Sequence, residues 1–127
     1  QGEFLHDTSL GFEFQLVDDA SRAGADRHVH ASGALYNYLP PSERAARPAG
    51  EWNSARLVVG EEDVEHWING RRVLRFGLHS PELKAALAAR NVNSARMLER
   101  LEKRQSPIAF QHHESHVAFR RIRVRSL

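Results

Sequence analysis

The stretch PAGEWNSARLVVGEEDVEHWINGRRVLRF, residues 48–76, decides the fold, because its side chains alternate with the period of a β-strand. Successive side chains of a strand point to opposite faces, so 52–59 and 64–68 each predict a strand. Residues 60–63 supply a polar turn between them. Asn69-Gly70 then predicts a tight type I′ hairpin turn, whose central residues both need positive φ. The chain pairs back over 73–76, and the whole stretch predicts an antiparallel meander.

Length and composition limit the classes of protein. The chain has 127 residues, which predicts one domain spanning 1–127. Its net charge of +2 is too balanced to indicate nucleic-acid binding. No apolar run approaches the roughly 20 residues that a membrane-spanning helix needs. The chain has no cysteine, which excludes disulfides, thiolate catalysis and cysteine-ligated metals. We therefore expect neither a nucleic-acid partner nor a membrane span.

Two segments before the meander also predict strands. Residues 11–17 alternate, which places three apolar side chains on a core face and two polar ones on the opposite face. The apolar set is Phe12, Phe14 and Leu16, and the polar pair is Glu13 and Gln15. Residues 32–39 predict a short strand that ends at Pro40-Pro41, because proline cannot continue a hydrogen-bonded ladder. The large rings of Trp52 and Trp67 are predicted to pack in the core of the sheet.

Residues 80–104 interrupt the β pattern with helical signals. Ser80 predicts an N-cap and Pro81 the first helical position, with helical spacing up to about residue 90. A second helical piece is predicted over 95–101, with its charged residues on a solvated face. We interpret this region as a short helical insertion that covers one end of the fold.

The C-terminal part predicts two further strands, over 107–113 and 117–124. Alternation places Gln111 and His113 together on the face opposite the apolar side chains. Arg120 shares a face with aliphatic residues, and an unpaired buried charge is very costly. It must therefore pair with a carboxylate or face a polar cleft.

Five blocks spread along the chain resemble one family, the 3-keto-disaccharide hydrolases, formerly a domain of unknown function. The blocks are PAGEWN at 48–53 with EHWING at 65–70, EFQLVDD at 13–19, SGALY at 32–36, the segment 107–113, and FRRI at 119–122. The family pattern near Gln111 is often Gln-Asp-His-Gly. Here His112 and Glu114 replace the aspartate and glycine, so only Gln111 and His113 carry over.

The resemblance implies an all-β fold, a concanavalin-like β-sandwich (jelly roll) with a short helical insertion. Such a sandwich usually needs on the order of 180 residues, within the single-domain range. This chain therefore resembles the C-terminal two-thirds of the domain, with N-terminal strands missing or replaced by another chain. The resemblance also implies a bacterial protein outside the cytoplasm, periplasmic or secreted. A homo-oligomer is left open.

The activity implied by the resemblance is hydrolysis of glycosidic bonds in sugars oxidised at C3. A C3 carbonyl acidifies the hydrogen on C2, so the reaction needs a base, a stabiliser for the enolate oxygen and an acid. The catalytic candidates are Glu13 or His113 as base, with Gln111 as a stabiliser beside Arg120. Tyr36 and Glu51 are the candidates for leaving-group protonation or sugar contact. Gln15, His66 and Arg120 are further candidates for substrate binding.

Each of these assignments has a structural alternative. Glu13 and Gln15 also fit a half-solvated strand, Tyr36 a core tyrosine, Glu51 a solvated turn acid and His66 a core histidine with a satisfied ring. The polar loop 18–31 has ligand types that suit a divalent cation, but its aspartates also suit turn capping. Adjacent histidines at 112 and 113 face opposite ways in a strand, which argues against zinc. No cofactor is established.

An alternative function requires the same fold but no catalysis. A non-catalytic carbohydrate-binding module would use the same polar face, because the sandwich serves both purposes. A conventional two-carboxylate glycosidase needs a close acidic pair on one face. Glu13 is followed by Gln15, which argues against that mechanism.

Overall fold

The computed structural model describes residues 11–21, 28–90, 99, 108–112 and 115–127. Its strands are β1 (Ala55–Val59), β2 (Asp63–Ile68) and β3 (Arg71–Gly77). They are followed by helix α1 (Pro81–Ala88) and preceded by a short 3-10 helix at Asp19–Ser21. The strands form one antiparallel sheet in the order β1-β2-β3. The predicted meander is therefore confirmed, and an architecture built mainly on sheet agrees with the all-β class.

Both predicted turns of the meander are present. The first is closed by the Gly60 amide, which donates to the Asp63 carbonyl at 2.8 Å. At the second turn Asn69 and Gly70 have φ of 50° and 80°, as a type I′ hairpin requires. A register shift between His66 and Trp67 adds a bulge to the β2–β3 ladder.

Asn53 and Asn69 join the meander to the loop before it. The Asn69 side chain donates from Nδ2 to the Ala45 carbonyl at 2.8 Å and to Asn53 Oδ1 at 2.7 Å. Its Oδ1 accepts from the Ser54 amide at 2.9 Å. Asn53 in turn accepts from the Arg47 amide at 2.7 Å and donates to the Arg47 carbonyl at 3.1 Å. These two side-chain amides therefore fix the entrance to β1 against the β2–β3 turn.

The inner face of the sheet carries the core. Alternate residues of β2 are buried, namely Val64, His66 and Ile68. They pack with side chains from the preceding turns, from β3 and from α1; the main cluster is Leu35, Leu39, Val64, Phe76, Leu78, Leu83 and Leu87. The same face of β1 is open, because Leu57 and Val59 are 44% and 51% exposed. The core therefore lies over β2 and β3.

Helix α1 begins where the sequence predicts. The Ser80 hydroxyl accepts from the Leu83 amide at 3.2 Å, and Pro81 occupies the first helical position. Its buried residues are Leu83 and Leu87, which share one helical face. The helix ends at Ala88, close to the predicted end. The second predicted helix, 95–101, lies outside the described residues apart from the helical Glu99.

The outer face of the sheet is a charged layer around Trp67. The Arg56 guanidinium lies 4.1 Å from the centre of the Trp67 ring, and the Trp67 Nε1 donates to Glu65 Oε2 at 2.8 Å. Arg72 pairs with Glu65 at 2.8 Å. The Trp67 hydrogen bond, followed by the one from Arg72, holds the pKa of Glu65 below its usual range. Trp67 is thus held by charged neighbours on the outer face, and the prediction of a core position is wrong.

The two predicted N-terminal strands are replaced by bridges and turns. Residues 11–17 make a single isolated bridge, between Phe14 and Leu35. The predicted strand 32–39 instead folds back on itself, with a second bridge between Leu35 and Leu39. Asn37, with φ of 70°, reverses the chain between them, so no straight partner strand is available. Leu16, predicted for the core, is exposed.

The predicted C-terminal strands are also absent from the described residues. Residues 108–112 and 115–127 have no regular secondary structure, and their side chains are exposed. A strand needs a hydrogen-bonded neighbour, and these residues join no ladder of the sheet. Trp52, predicted for the core, is 47% exposed because it precedes β1 rather than lying within the sheet. No helix in the described ranges is long and apolar enough to cross a membrane.

Candidate active site

Three predicted site residues are brought together by a short set of backbone hydrogen bonds. The Tyr36 amide donates to the Glu13 carbonyl at 3.0 Å. The Gly33 amide donates to the Gln15 carbonyl at 2.8 Å, and the Gln15 amide donates to the Ala34 carbonyl at 3.0 Å. Glu13 is exposed, whereas Gln15 and Tyr36 are half-buried. The segments 13–15 and 33–36 therefore present these residues from one small region.

His66 lies beneath this region, in the core. Its ring stacks on Phe14 with centroids 4.1 Å apart and meets the edge of Phe76 at 5.8 Å. Its Nδ1 is 2.9 Å from the Gly33 carbonyl, and because a carbonyl only accepts, Nδ1 carries the hydrogen. Burial lowers the pKa of His66, although the Gly33 hydrogen bond opposes that shift. With 1% of its surface exposed, His66 packs beneath segments 13–15 and 33–36 as a buried core histidine.

A group of residues that the sequence prediction did not use surrounds Tyr36. The rings of His30 and Tyr36 are 4.9 Å apart, and the rings of His28 and His30 are 5.3 Å apart. His30 Nε2 lies 2.7 Å from Asn37 Oδ1, and the Asn37 amide donates to the Val29 carbonyl at 2.9 Å. The sequence signal was present in the spacing His-x-His, but it was interpreted only as part of a polar loop suited to a divalent cation or to turn capping.

Tyr38 adds a further hydroxyl beside Glu13. Burial raises the pKa of Tyr38, the positive charge of Arg90 lowers it, and the negative charge of Glu13 raises it. Tyr38 also meets Phe12 edge-on, with ring centroids 5.7 Å apart. Tyr38 is thus within range of the Glu13 charge.

The other described site candidates form a second group near the start of β1. The Arg120 guanidinium lies 3.7 Å from the centre of the Trp52 ring, next to Glu51 in the chain. The ring of Phe110 packs on Phe119 at 4.7 Å, which brings the segments of Gln111 and Arg120 together. Glu51, Gln111 and Arg120 are all exposed. The sequence predicted that Arg120 pairs with a carboxylate or faces a polar cleft, whereas in the structure it is exposed and meets an aromatic face.

The two groups are held by different segments of the chain. Among the described residues, no hydrogen bond, ion pair or ring contact joins Glu13, Gln15 or Tyr36 to Glu51, Gln111 or Arg120. His113, the other candidate base, lies outside the described residues. The assignment of His113 as a catalytic base stays a prediction.

The aspartates of the polar loop bind backbone amides. Asp18 Oδ1 accepts from the Ala20 amide at 3.2 Å, and Asp19 Oδ1 accepts from the Ser32 amide at 2.8 Å. Within the described ranges, no three side chains of the usual metal-binding types are grouped so that they could hold an ion. Asp18 thus caps a local turn, whereas Asp19 links its segment to that of Ser32.

Comparison with known proteins gives the class and then the family. The fold is similar to the crystal structure of a proposed glycosyl hydrolase from Parabacteroides distasonis, with a TM-score of 0.55 and 27% identity. That match covers 64% of this chain and 41% of the other. A 3-keto-disaccharide hydrolase from Bacteroides thetaiotaomicron is 30% identical over 127 residues, which is 91% of this chain and 43% of that protein.

The family model of the 3-keto-alpha-glucoside-1,2-lyase-like domain matches residues 2–125. The chain belongs to this family, which confirms the resemblance found in its sequence blocks. It spans less than half the length of the Bacteroides relative and of the Parabacteroides structure.

Proposed function

We propose that this chain is part of an enzyme that cleaves glycosidic bonds in 3-keto sugars. The observation that carries the proposal is the family match over 2–125, together with a relative named for hydrolysis of 3-keto-disaccharides. The substrate is a carbohydrate whose C3 hydroxyl has been oxidised to a carbonyl. The family resemblance also supports a location outside the cytoplasm.

The chemistry proceeds by elimination followed by addition of water. The C3 carbonyl acidifies the C2 hydrogen, and its removal places negative charge on the C3 oxygen. When the carbonyl re-forms, the bond from C1 to its substituent breaks and a C1–C2 double bond remains. Water then adds its hydroxyl to C1 and its hydrogen to C2. The family is named after a 1,2-lyase, and a lyase acting at C1 and C2 supports elimination as the first step.

The described residues supply the groups that this route needs. Glu13 is an exposed carboxylate beside the half-buried Tyr36, which suits a base next to a hydroxyl donor. Arg120 and Gln111 are a cation and an amide in neighbouring segments, which suits stabilisation of an enolate oxygen. His113 remains an alternative base. Gln15 and Glu51 are candidates for sugar contact.

We further propose that the three-stranded sheet belongs to a single concanavalin-like β-sandwich, with the region 80–104 as its helical insertion. The supports are the antiparallel order of β1 to β3, the exposed inner face of β1 and the similarity to the Parabacteroides structure. A second sheet packed on that face would bury Leu57 and Val59.

The test is cleavage in heavy water. The protein is incubated in D2O with a 3-keto disaccharide and, as a matched control, with the unoxidised disaccharide. We expect cleavage of the oxidised sugar alone, with deuterium at C2 of the released 3-keto product, because the second step takes that hydrogen from water. The product incubated without protein corrects for spontaneous exchange. Cleavage of both sugars, or product without deuterium at C2, would contradict the mechanism.

A carbohydrate-binding module is the second candidate, and one observation favours it. Trp52 is 47% exposed with Arg120 on one face, and exposed aromatic rings provide apolar surfaces that can pack on a ligand. In the same incubation, a module would bind the sugar and release no product. Equilibrium dialysis of the disaccharide separates these outcomes.

A further inference from the structure

We propose that His30 is a catalytic base of the proposed reaction, held in its active tautomer by Asn37. The inference rests on the proposed function and assigns removal of the C2 proton to His30 in place of Glu13 or His113. His30 lies between two other side chains with exchangeable protons, since its ring packs on Tyr36 at 4.9 Å and on His28 at 5.3 Å. Its ring is half-buried, whereas His28 is exposed.

The hydrogen bond to Asn37 decides which ring nitrogen is basic. His30 Nε2 lies 2.7 Å from Asn37 Oδ1, and an amide oxygen has no hydrogen to donate. In neutral His30 the hydrogen is therefore on Nε2, and Nδ1 keeps its lone pair. Among the described residues, Nδ1 of His30 has no hydrogen-bond partner. Within the part of the chain that the structure describes, the His30 ring beside Tyr36 thus keeps one unprotonated nitrogen, as a general base requires.

The backbone of Asn37 supports a positioning function. Its φ of 70° lies in the left-handed region, where a residue with a side chain is strained. Glycine would adopt this conformation at lower cost, but it would lack the amide oxygen. The Asn37 amide also donates to the Val29 carbonyl at 2.9 Å, so backbone and side chain both hold the segment of His30.

In the proposed reaction, His30 both accepts the proton and returns it. His30 Nδ1 takes the C2 proton, and the C2–H electron pair forms the enolate with negative charge on the C3 oxygen. As the carbonyl re-forms, the bond between C1 and the leaving oxygen breaks. The imidazolium of His30 returns its proton to that oxygen. Water then adds across C1 and C2, so the net reaction consumes one water molecule.

The first experiment measures the tautomer without reference to activity. Nitrogen-15 NMR of the histidine rings in the full chain distinguishes Nε2–H from Nδ1–H. We expect His30 in the Nε2–H form, and a mixture of both forms in Asn37→Gly, which keeps the backbone conformation but removes Oδ1. A wild-type His30 in the Nδ1–H form would overturn the proposal.

The second experiment measures cleavage of the 3-keto disaccharide. We expect His30→Gln to lower kcat by about 100-fold or more, the usual contribution of a general base, with little change in KM. Asn37→Gly should lower kcat by a smaller factor. His79→Gln is the matched control, because His79 is an exposed histidine just before α1. Full activity in His30→Gln would overturn the assignment, whereas inactivity of the unmodified protein would overturn the proposed function itself.

Discussion

Gly33 has a φ of 96° and lies against β3, where a side chain has no room. A Cβ added here would lie 2.6 Å from Cγ2 of Val73 and 3.4 Å from Cδ1 of Ile68. Val73 is fully buried, and its β-branched side chain has few alternative rotamers. The carbonyl of Gly33 also accepts the hydrogen bond of His66. Close packing of the site segment on the sheet therefore depends on glycine.

We predict that Gly33→Ala lowers the free energy of unfolding by about 2–4 kcal/mol, from left-handed strain together with overpacking. Gly70→Ala is the control, because Gly70 has φ of 80° and a Cβ added there would meet nothing within 4 Å. That variant should lose only about 1 kcal/mol, the cost of the backbone conformation. Urea unfolding measures both. Equal losses would show that the contact with Val73 contributes nothing.

His66 predicts a pH dependence of stability. Because its pKa is lowered in the folded protein, the unfolded chain binds a proton at His66 more readily. The contribution is complete above the unfolded pKa of about 6.5 and is lost as the pH falls below it. In His66→Gln this part of the decline should disappear. Urea midpoints at pH 7.5 and 5 measure it for both proteins, and an equal decline in each would contradict the prediction. The pKa of Glu65 is also lowered, but its carboxyl titrates below this pH range, and it is present in both proteins.

At the scale of elements, the Asn69 side chain connects β1, the β2–β3 turn and the loop at Ala45. We predict that Asn69→Gly costs about 1–2 kcal/mol of stability, because three hydrogen bonds are lost, two of them exposed and one partly buried. Asn69→Ala should cost about 1 kcal/mol more, since its φ of 50° then carries strain. Thermal unfolding of the unmodified protein, Asn69→Gly and Asn69→Ala gives their order of stability. An alanine variant as stable as the glycine variant would show that the turn conformation costs nothing.

The elements that the sequence predicted correctly are those with a local cause. Asn69-Gly70 specifies its turn, and Ser80-Pro81 specifies the helix start, each through bonds within a few residues. The strands wrongly predicted over 11–17 and 117–124 relied on alternation alone. Alternation in 11–17 and 117–124 describes side-chain direction, but a strand also needs a partner, which periodicity does not supply.

For the candidate site, too, the sequence predicted some residues and missed others. The family blocks identified Glu13, Gln15 and Tyr36, and the structure brings their segments together. The spacing of His28 and His30 is visible in the sequence, but the contact of His30 with Asn37 could not be predicted, because it depends on a chain reversal at a non-glycine residue with positive φ. Sequence patterns rarely signal such a reversal. The predicted core position of Trp52 was wrong because a large ring can also cover a cation at the surface.

At the scale of the whole molecule, burial is uneven across the sheet. The inner face of β2 and β3 is covered by the turns around Leu35 and by α1, whereas that of β1 is open. The outer face is covered by ion pairs, including Arg75 with Asp63 at 2.5 Å. Exposed ion pairs contribute little stability, so most of the favourable free energy comes from the apolar cluster.

The central position of β2 has a consequence for how the protein tolerates change. β2 is hydrogen-bonded on both edges, while β1 and β3 each have one bonded edge in the described sheet. An insertion at the polar turn before β2 would alter only how β1 approaches, since the core rests on the other two strands. An insertion within β2 would detach both neighbours together. Sites for labels or fused tags are therefore better chosen at residues 60–62 than anywhere between Val64 and Ile68.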